Sequence, residues 1–189
     1  LDGSSQLIAK TGYSRIGGFE IYLSRPELGK YLWETILEAG RSENIRPGSP
    51  NIIDRVEAGL LSFGNEMTVE NTPLECNMDK FLDINKEADY IGKKVLQRQI
   101  RYGIKRRIRG VIYKGPKLPT ISRPLQVFDV DKRTIVGSLT SGAFSPHFKS
   151  NIGVGMVKYG YWDNNKKILV NIADQEFREG LIKDLPLIQ

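Results

Sequence analysis

Hydrophobic and polar residues alternate over residues 19–23, directly after the adjacent glycines Gly17 and Gly18. Adjacent glycines permit positive φ angles and a sharp turn, and strict alternation indicates a half-exposed strand. The pattern therefore predicts a glycine turn over residues 14–18 that leads into a strand carrying Glu20. A further short strand is predicted over residues 6–10.

Three segments place apolar residues at helical spacing, which predicts three amphipathic helices. With their caps, these helices cover residues 24–39, 49–63 and 93–102. Serine caps and early prolines favour the first two starts, and a glycine favours each end. The glycines in question are Gly40, Gly64 and Gly103.

From Lys105 onward the pattern changes to short β-rich segments separated by turns. The predicted strands cover residues 107–113, 125–129, 134–140, 152–159 and 167–172, and residues 181–189 form a final strand or tail. Closely spaced strands of this kind are typical of a small antiparallel barrel or sandwich. The fold class is therefore α+β. A domain boundary near Ile104 gives the domains 1–103 and 104–189.

Charge is distributed unevenly along the 189 residues. The first 92 residues carry 9 Lys or Arg and 15 Asp or Glu, a net charge of −6, whereas the remaining 97 carry 19 and 7, a net charge of +12. The densest basic cluster lies over residues 93–109. It is read either as a solvated helix face and strand edge or as a surface that meets a small polyanion. Nucleic-acid binding is disfavoured, because only Tyr102 is interleaved with the basic residues.

The chain contains one cysteine, Cys76, and one histidine, His147. This content disfavours a Cys/His metal site, and no metal ligand is assigned. A lone cysteine fits a reducing compartment, so we expect a cytoplasmic protein. We interpret Cys76 as a packed small side chain rather than a nucleophile. No apolar run approaches the roughly 20 residues that cross a bilayer, so no membrane association is expected.

Glu20 is the candidate binding residue that the pattern itself isolates. A carboxylate on a rigid strand next to a glycine turn is a planar acceptor for a ligand with adjacent N–H donors. The alternative is an exposed strand carboxylate without a ligand. The residues supply no phosphate-binding glycine loop and no nucleophile elbow, so no catalytic residue is assigned.

Five ordered motifs resemble those of glycine cleavage system T-proteins, the aminomethyltransferases. Residues 11–21 resemble T-G-Y-T-G-E-x-G-[FV]-E-I, and residues 55–64 resemble R-L-E-A-G-L…Y-G. Residues 72–75 resemble T-P-x-E, and residues 90–93 resemble F-I-G-[KR]. Residues 140–157 resemble T-S-G-x-x-S-P-x-L-x-x-N-[IV]-A-x-G-[YMF]-V. The resemblance thus extends over nearly the whole chain.

Within this family the chain resembles the dimethylsulfoniopropionate demethylase branch. The similar segments are residues 48–51, 60–62, 67–68 and 72–76. T-proteins carry A-R-D at the start of the second helix, and Asn51 stands at that arginine position. The difference favours a relative that acts on another methyl donor over one that transfers an aminomethyl group.

The resemblance implies a tetrahydrofolate-dependent one-carbon transferase, in which the remainder of a folate-binding α/β domain precedes a small antiparallel β-barrel domain. It implies that Glu20 pairs with the 2-amino and N3 edge of the pterin and that Tyr13 packs on or borders the pterin. It places Asn51 and Arg55 at the cleft, with Arg55 first holding its helix and second contacting ligand. The resemblance also implies either methyl transfer from a small zwitterionic donor such as dimethylsulfoniopropionate or aminomethyl transfer of the glycine cleavage type.

Members of this family are substantially longer than this chain, and the acid that assists at folate N10 lies in their N-terminal half. We therefore interpret the chain as the C-terminal portion of a transferase that requires the missing N-terminal half and is inactive alone.

A non-catalytic folate-binding module of the same superfamily is the alternative. Proteins of that branch carry K-G-C-[YF]-x-G-Q-E, and residues 88–93 lack the cysteine.

Overall fold

A computed structural model of the chain describes residues 1–14, 16–49 and 51–188. Three sequence predictions involve residues outside these ranges: Arg15 in the glycine turn, Pro50 at the start of the second helix, and Gln189 in the tail.

The chain divides into two compact units, Leu1–Asn51 and Ile52–Gln189. The predicted domain boundary near Ile104 falls inside the second unit and stays a prediction.

The first unit contains a two-stranded antiparallel hairpin. Strand β1 (Leu7–Ala9) pairs with strand β2 (Glu20–Tyr22), and Ala9 lies opposite Glu20. Both strands lie where the sequence predicts them. The elements that follow are a 3-10 turn over Pro26–Leu28, helix α1 (Gly29–Ala39) and a second 3-10 turn over Arg41–Glu43.

None of the residues that the structure describes in the first unit is buried. The predicted apolar stripe of α1 is half-buried at its leucines, whereas the Tyr31 and Ile36 side chains are 54% and 36% exposed. Phe19 and Tyr22 of the hairpin region are 68% and 52% exposed. The hairpin and the helix therefore present large apolar side chains to solvent.

The second unit is built around a closed antiparallel barrel with the strand order β3-β6-β5-β4-β7-β8. Its helical elements are α2 (Ile52–Glu57), a 3-10 turn over Asp79–Phe81, and α3 (Lys93–Tyr102). Its strands are β3 (Arg106–Tyr113), β4 (Leu125–Phe128), β5 (Ile135–Ser145), β6 (Ser150–Lys158), β7 (Lys167–Ala173) and β8 (Glu176–Lys183). The closed barrel confirms the α+β class and selects the barrel over the sandwich.

Two buried clusters stabilise this unit. The first includes valines that are fully buried: Val111, Val127, Val136, Val157 and Val170. The second surrounds Val56 of α2 and includes Ile108 and Ile152 of the barrel strands. Because α2 packs on β5 and β6, the barrel holds the polar side chains of α2 in fixed positions.

Strands β5 and β6 approach closely at Gly155. A Cβ atom at Gly155 would lie 1.9 Å from the carbonyl oxygen of Ser138, so no larger residue fits without a backbone shift. The register between these strands shifts at a bulge between Leu139 and Ser141. Bulges of this kind bend a strand and help a small sheet to close.

The structure corrects several predicted boundaries. Strand β5 continues to Ser145, five residues beyond its predicted end. Helix α2 ends at Glu57 rather than at Gly64, because Gly59 already has a φ of +67°, which a helix does not continue through. Strand β8 begins at Glu176, upstream of the predicted residue 181, and includes charged positions that break the apolar alternation. The predicted bounds of α3, in contrast, are confirmed at both ends.

Candidate functional site

Glu20 is the first residue of β2, and its side chain is exposed. The hydroxyl of Thr11 donates a hydrogen bond to Glu20 Oε2. Among the described residues, no hydrogen bond is made to the second carboxylate oxygen, Oε1. One oxygen is therefore held and the other is available, as a planar acceptor of N–H donors requires.

The turn before Glu20 is open. Gly17 and Gly18 have φ angles of +95° and +130°, which is the region that favours glycine. Apart from its immediate chain neighbours, no described residue lies within 4 Å of a Cβ atom built on either glycine. The Tyr13 side chain is 45% exposed in the same unit. A flat ligand therefore meets no steric barrier from these glycines.

Asn51 lies one residue before the first residue of α2 and is exposed. Its predicted role in binding stays a prediction.

Arg55 is buried in the second unit, where it forms a two-point ion pair with Glu66. Nη1 lies 2.9 Å from Glu66 Oε2, and Nη2 lies 3.2 Å from Oε1. The Glu66 side chain is completely buried, and the Arg55 side chain is 8% exposed. Nη1 also donates to the carbonyl oxygen of Leu60 at 2.8 Å. The guanidinium therefore holds the segment that follows α2.

The same ion pair is tied to the barrel through Ser141 of β5. Arg55 Nη2 donates to Ser141 Oγ at 2.6 Å, and Asn65 Nδ2 donates to the same oxygen at 2.7 Å. The backbone N–H of Ser62 donates to Glu66 Oε2 at 2.6 Å. These bonds join α2, the following loop and β5 in one buried polar network. This geometry matches the structural part of the role expected of Arg55; its contact with a ligand stays a prediction.

A second buried carboxylate fixes the other end of α2. Ser145 Oγ donates to Glu57 Oε1 at 2.5 Å. The backbone N–H groups of Leu187 and Ile188 donate to the Glu57 carbonyl oxygen at 2.8 and 3.1 Å. These hydrogen bonds hold Leu187 and Ile188 against the C-terminal end of α2.

Sequence reasoning missed Glu66, Ser141 and Ser145 as partners of the helix. Glu66 is 11 residues from Arg55 in sequence, whereas Ser141 and Ser145 lie in a barrel strand 86 and 88 residues from their partners. The available signal was the T-S-G-x-x-S-P motif, which contains both serines.

Cys76 is buried, with 4% of its surface exposed, which confirms the interpretation as a packed side chain. Burial raises the pKa of its thiol above the usual value, and the neighbouring Glu75 carboxylate adds to this rise. A thiol with a raised pKa is a poor nucleophile at neutral pH. Within the described ranges, no group of three or more His, Cys, Asp or Glu side chains is placed to hold a metal ion.

Two family models match the chain. The GCVT N-terminal domain matches residues 1–86, and the glycine cleavage T-protein C-terminal barrel domain matches residues 106–185. The second match coincides with the closed barrel. The chain therefore belongs to the glycine cleavage T-protein family.

The curated relatives fall into the two branches that the sequence motifs indicate. Dimethylsulfoniopropionate demethylase of Ruegeria pomeroyi is 43% identical over 160 residues, which cover 85% of this chain and 43% of the relative. The aminomethyltransferase of Natranaerobius thermophilus is 34% identical over 188 residues, which cover 97% of this chain and 49% of the relative. The aminomethyltransferase of Caldanaerobacter subterraneus is 36% identical over 182 residues, 95% of this chain and 47% of the relative. The chain thus spans about half the length of the curated relatives that it matches.

A solved structure shows the same fold. The crystal structure of glycine cleavage system aminomethyltransferase T from Bartonella henselae aligns with a TM-score of 0.79 over 96% of this chain and 49% of that one. At 23% identity, this likeness establishes the fold alone.

No helix in the described parts of the chain has the length and apolar character needed to span a membrane.

Proposed function

We propose that this chain is the C-terminal portion of a tetrahydrofolate-dependent one-carbon transferase. The single observation that carries the proposal is the exposed Glu20 carboxylate, held by Thr11 at the start of a strand in a chain of this family. A reduced pterin presents a 2-amino group and an adjacent ring N–H along one edge. A carboxylate accepts such a pair of donors in its own plane.

Glu20 acts as the anchor for the pterin edge. Hydrogen bonds that involve a charged group contribute about 1.5–3 kcal/mol each. Thr11 restricts rotation of the carboxylate, which reduces the entropy lost when the ligand binds. The open turn at Gly17 and Gly18 lets the flat ring approach the backbone.

Tyr13 supplies an exposed aromatic face that borders the pterin. Asn51 contacts ligand at the position where T-proteins carry an arginine. Arg55 contributes to the site chiefly by fixing α2, because its guanidinium is engaged by Glu66 and Ser141. No residue of this chain is assigned a catalytic role, and the chain's own contribution to the reaction is binding and orientation.

The methyl donor is a small zwitterion such as dimethylsulfoniopropionate. The 43% identity to a dimethylsulfoniopropionate demethylase supports this donor, as does Asn51 in place of arginine. Aminomethyl transfer of the glycine cleavage type is the second donor chemistry, supported by the aminomethyltransferase relatives. A sulfonium methyl group transfers readily to a nucleophilic nitrogen, so orientation and electrostatic placement are the protein's main tasks.

The active protein contains the half that the relatives possess and this chain does not. Support comes from the first unit, in which no described residue is buried although Phe19, Tyr31 and Trp33 are each more than half exposed. So little burial cannot offset the conformational entropy of folding. We infer that the missing N-terminal half covers these side chains.

Two further parts of the proposal concern the chain as a whole. We infer that its domains divide near Ile104 and that the protein works in the cytoplasm.

The test is a turnover assay on the complete polypeptide with tetrahydrofolate and dimethylsulfoniopropionate, run in parallel with the 189-residue chain alone. We expect 5-methyltetrahydrofolate from the complete polypeptide and none from the chain alone. Turnover with an aminomethyl donor in place of the sulfonium would reassign the donor. Tight tetrahydrofolate binding without turnover of either donor would favour the alternative, a non-catalytic folate-binding module of the same superfamily.

A further inference from the structure

One stretch of the second unit is strongly basic. Residues 90–128 contain 11 Lys or Arg and no Asp or Glu. The stretch includes α3 and β3 and ends with β4. So long a run of cations without an acid creates a positive field over the surface that it forms. The function proposed above assigns no role to these residues.

The cations of β3 and of the residue that follows it are paired within the second unit. They are Arg106, Arg107, Arg109 and Lys114, and their partners are Glu75, Asp79, Asp184 and Glu179. These pairs connect β3 to the segment before α3, to β8 and to the residue after β8. Their charge is therefore used inside the fold.

The cations of α3 and of the turn after it are different. Lys94, Arg98, Arg101 and Lys105 are exposed, and none of them forms an ion pair or a side-chain hydrogen bond with any residue that the structure describes. Residues three and four apart lie on one face of a helix, so Lys94, Arg98 and Arg101 form one basic stripe along α3. The unpaired positive charge of the stretch is thus concentrated on this helix.

An open cavity of about 1150 Å³, here called the α3 cavity, lies between α3 and the start of β3. Arg98 and Lys105 line it together with Tyr102 and Tyr159. Tyr159 follows directly after β6, so the fold brings a second aromatic ring to a basic cluster in which the sequence contains only Tyr102. The sequence-based reason for disfavouring nucleic acid, a single aromatic residue, therefore does not hold for the folded chain.

Both rings are exposed, and each is supported by a neighbour. The Tyr102 and Tyr159 side chains are 73% and 71% exposed. The guanidinium carbon of Arg101 lies 5.3 Å from the centroid of the Tyr102 ring. Trp162 makes a T-shaped contact with Tyr159, with ring centroids 5.1 Å apart. A supported ring loses little side-chain entropy when a planar group stacks on it.

We propose that the α3 cavity binds single-stranded nucleic acid, with phosphates on Arg98 and Lys105 and bases stacked on Tyr102 and Tyr159. A basic surface beside aromatic rings is the arrangement that binds single strands without sequence preference. The faces of the bases are available only in an unpaired strand, since in a duplex they stack on one another. An acidic peptide or a polyphosphate supplies the charge but no series of planar faces.

The test is a fluorescence anisotropy titration of the 189-residue chain with a labelled single-stranded oligonucleotide of about 12 nucleotides, repeated at several salt concentrations. The logarithm of the affinity should fall linearly with the logarithm of the salt concentration. Arg98→Ala/Lys105→Ala should reduce that slope by about 1.4, because each phosphate contact to a single strand contributes about 0.7. Absence of binding by the unmodified chain at low salt would overturn the inference.

The matched control for charge is Lys117→Ala/Arg123→Ala. It removes the same net charge at exposed positions that do not line the α3 cavity, and it should leave the slope unchanged. Equal losses of slope in the two double variants would reduce the effect to net charge and overturn the assigned site.

Tyr159 provides a measurement that does not alter charge. Tyr159→Leu should weaken binding by about fivefold to a hundredfold with the salt slope unchanged, because one base loses its stacking partner. Tyr159→Phe keeps the ring and should bind like the unmodified chain. Tyr102→Leu and Tyr102→Phe repeat the comparison on α3. Equal affinities of the Leu and Phe substitutions at both positions would overturn the stacked mode.

Two other polyanions separate nucleic acid from the other classes of partner. The same oligonucleotide annealed to its complement should bind more weakly than the single strand, because its base faces are covered. Tighter binding of the duplex would overturn the stacked mode. Polyglutamate of the same total charge, bound as tightly as the oligonucleotide, would overturn nucleic acid in favour of an acidic peptide.

The complete polypeptide separates this inference from the proposed function. There the oligonucleotide should bind with the same pattern among the variants, and saturating tetrahydrofolate should leave its affinity unchanged. Competition with tetrahydrofolate would overturn the inference, as would loss of oligonucleotide binding when the N-terminal half is present. Both results would leave the proposed function intact, because that function is tested by turnover.

Discussion

The guanidinium of Arg55 and the carboxylate of Glu66 face each other in a two-point ion pair, with N–O distances of 2.9 and 3.2 Å. Both side chains are buried, and Ser141 ties the pair to the barrel. A buried pair is not by itself a strong source of stability, since desolvation offsets the attraction. Removing only one of the two charged side chains is costly, because the remaining charge is left unpaired in the interior.

Glu66→Ala should therefore lower the free energy of unfolding by about 3–5 kcal/mol. Urea denaturation followed by circular dichroism measures the change. The matched control is Glu179→Ala, which breaks the exposed pair between Glu179 and Lys114. The control should have a much smaller effect, because solvent screens that pair. Similar losses in both variants would contradict the structural role of the Arg55 network.

Glu20→Gln should weaken tetrahydrofolate binding by roughly tenfold to a hundredfold in the complete polypeptide, because the charged acceptor is lost while the shape is kept. Fluorescence titration with tetrahydrofolate measures the affinity. Glu34→Gln, at an exposed position of α1 paired with Lys30 at 3.8 Å, is the control and should bind normally. Unchanged affinity in Glu20→Gln would remove the pterin role from this residue.

Thr11→Val should weaken the same binding by a smaller factor, roughly threefold to tenfold, because the carboxylate of Glu20 loses the hydroxyl that orients it. Thr11→Ser keeps the hydroxyl and should restore most of the affinity. If valine and serine gave the same result, the hydrogen bond to Glu20 would have no part in binding.

Tyr113 provides a pH-dependent prediction. Its side chain is 1% exposed, and burial raises the pKa of its phenol from 10.0 to about 12. As the pH rises past 10, the unfolded chain loses this proton before the folded chain does. The contribution of Tyr113 to the free energy of unfolding should therefore fall across pH 10 to 12 and stop changing above that window.

Absorbance of phenolate at 295 nm, compared between the unmodified chain and Tyr113→Phe, measures this titration. The difference between the two curves should have its midpoint near pH 12. A midpoint near the ordinary tyrosine pKa would show that the barrel interior does not desolvate this hydroxyl.

Local signals account for the parts of the fold that the sequence predicts well. Helix α3 is flanked by Gly92 and Gly103, with φ angles of +86° and +83°, and both of its ends are predicted correctly. Helix α2 is overextended in the prediction because Gly59 and Gly64 are both plausible stops, and only the folded chain selects the first. The predicted apolar faces are less reliable: Val95 and Ile100 of α3 are each 53% exposed.

The residues of the candidate site also differ in how far the sequence alone predicts their positions and contacts. The position of Glu20 on a strand after two glycines is predicted from sequence because the pattern is local, whereas its role in binding stays a prediction. The partners of Arg55 are not predicted, since Glu66 and Ser141 meet it only after α2 packs on the barrel. The buried side-chain oxygen of Gln99, which accepts no hydrogen bond from the described residues, has no sequence signature either, because its surroundings are set by three-dimensional packing.

The barrel and the hairpin differ in whether they offer a free strand edge to another strand. In the closed cycle of β3, β6, β5, β4, β7 and β8, every strand has a neighbour on each side, so backbone pairing offers no place for another strand. The hairpin of β1 and β2 pairs only with itself among the described residues, which leaves an unpaired edge on each strand. Further strands can therefore extend the hairpin through main-chain hydrogen bonds, whereas the closed barrel has no free strand edge to which a further strand can be added.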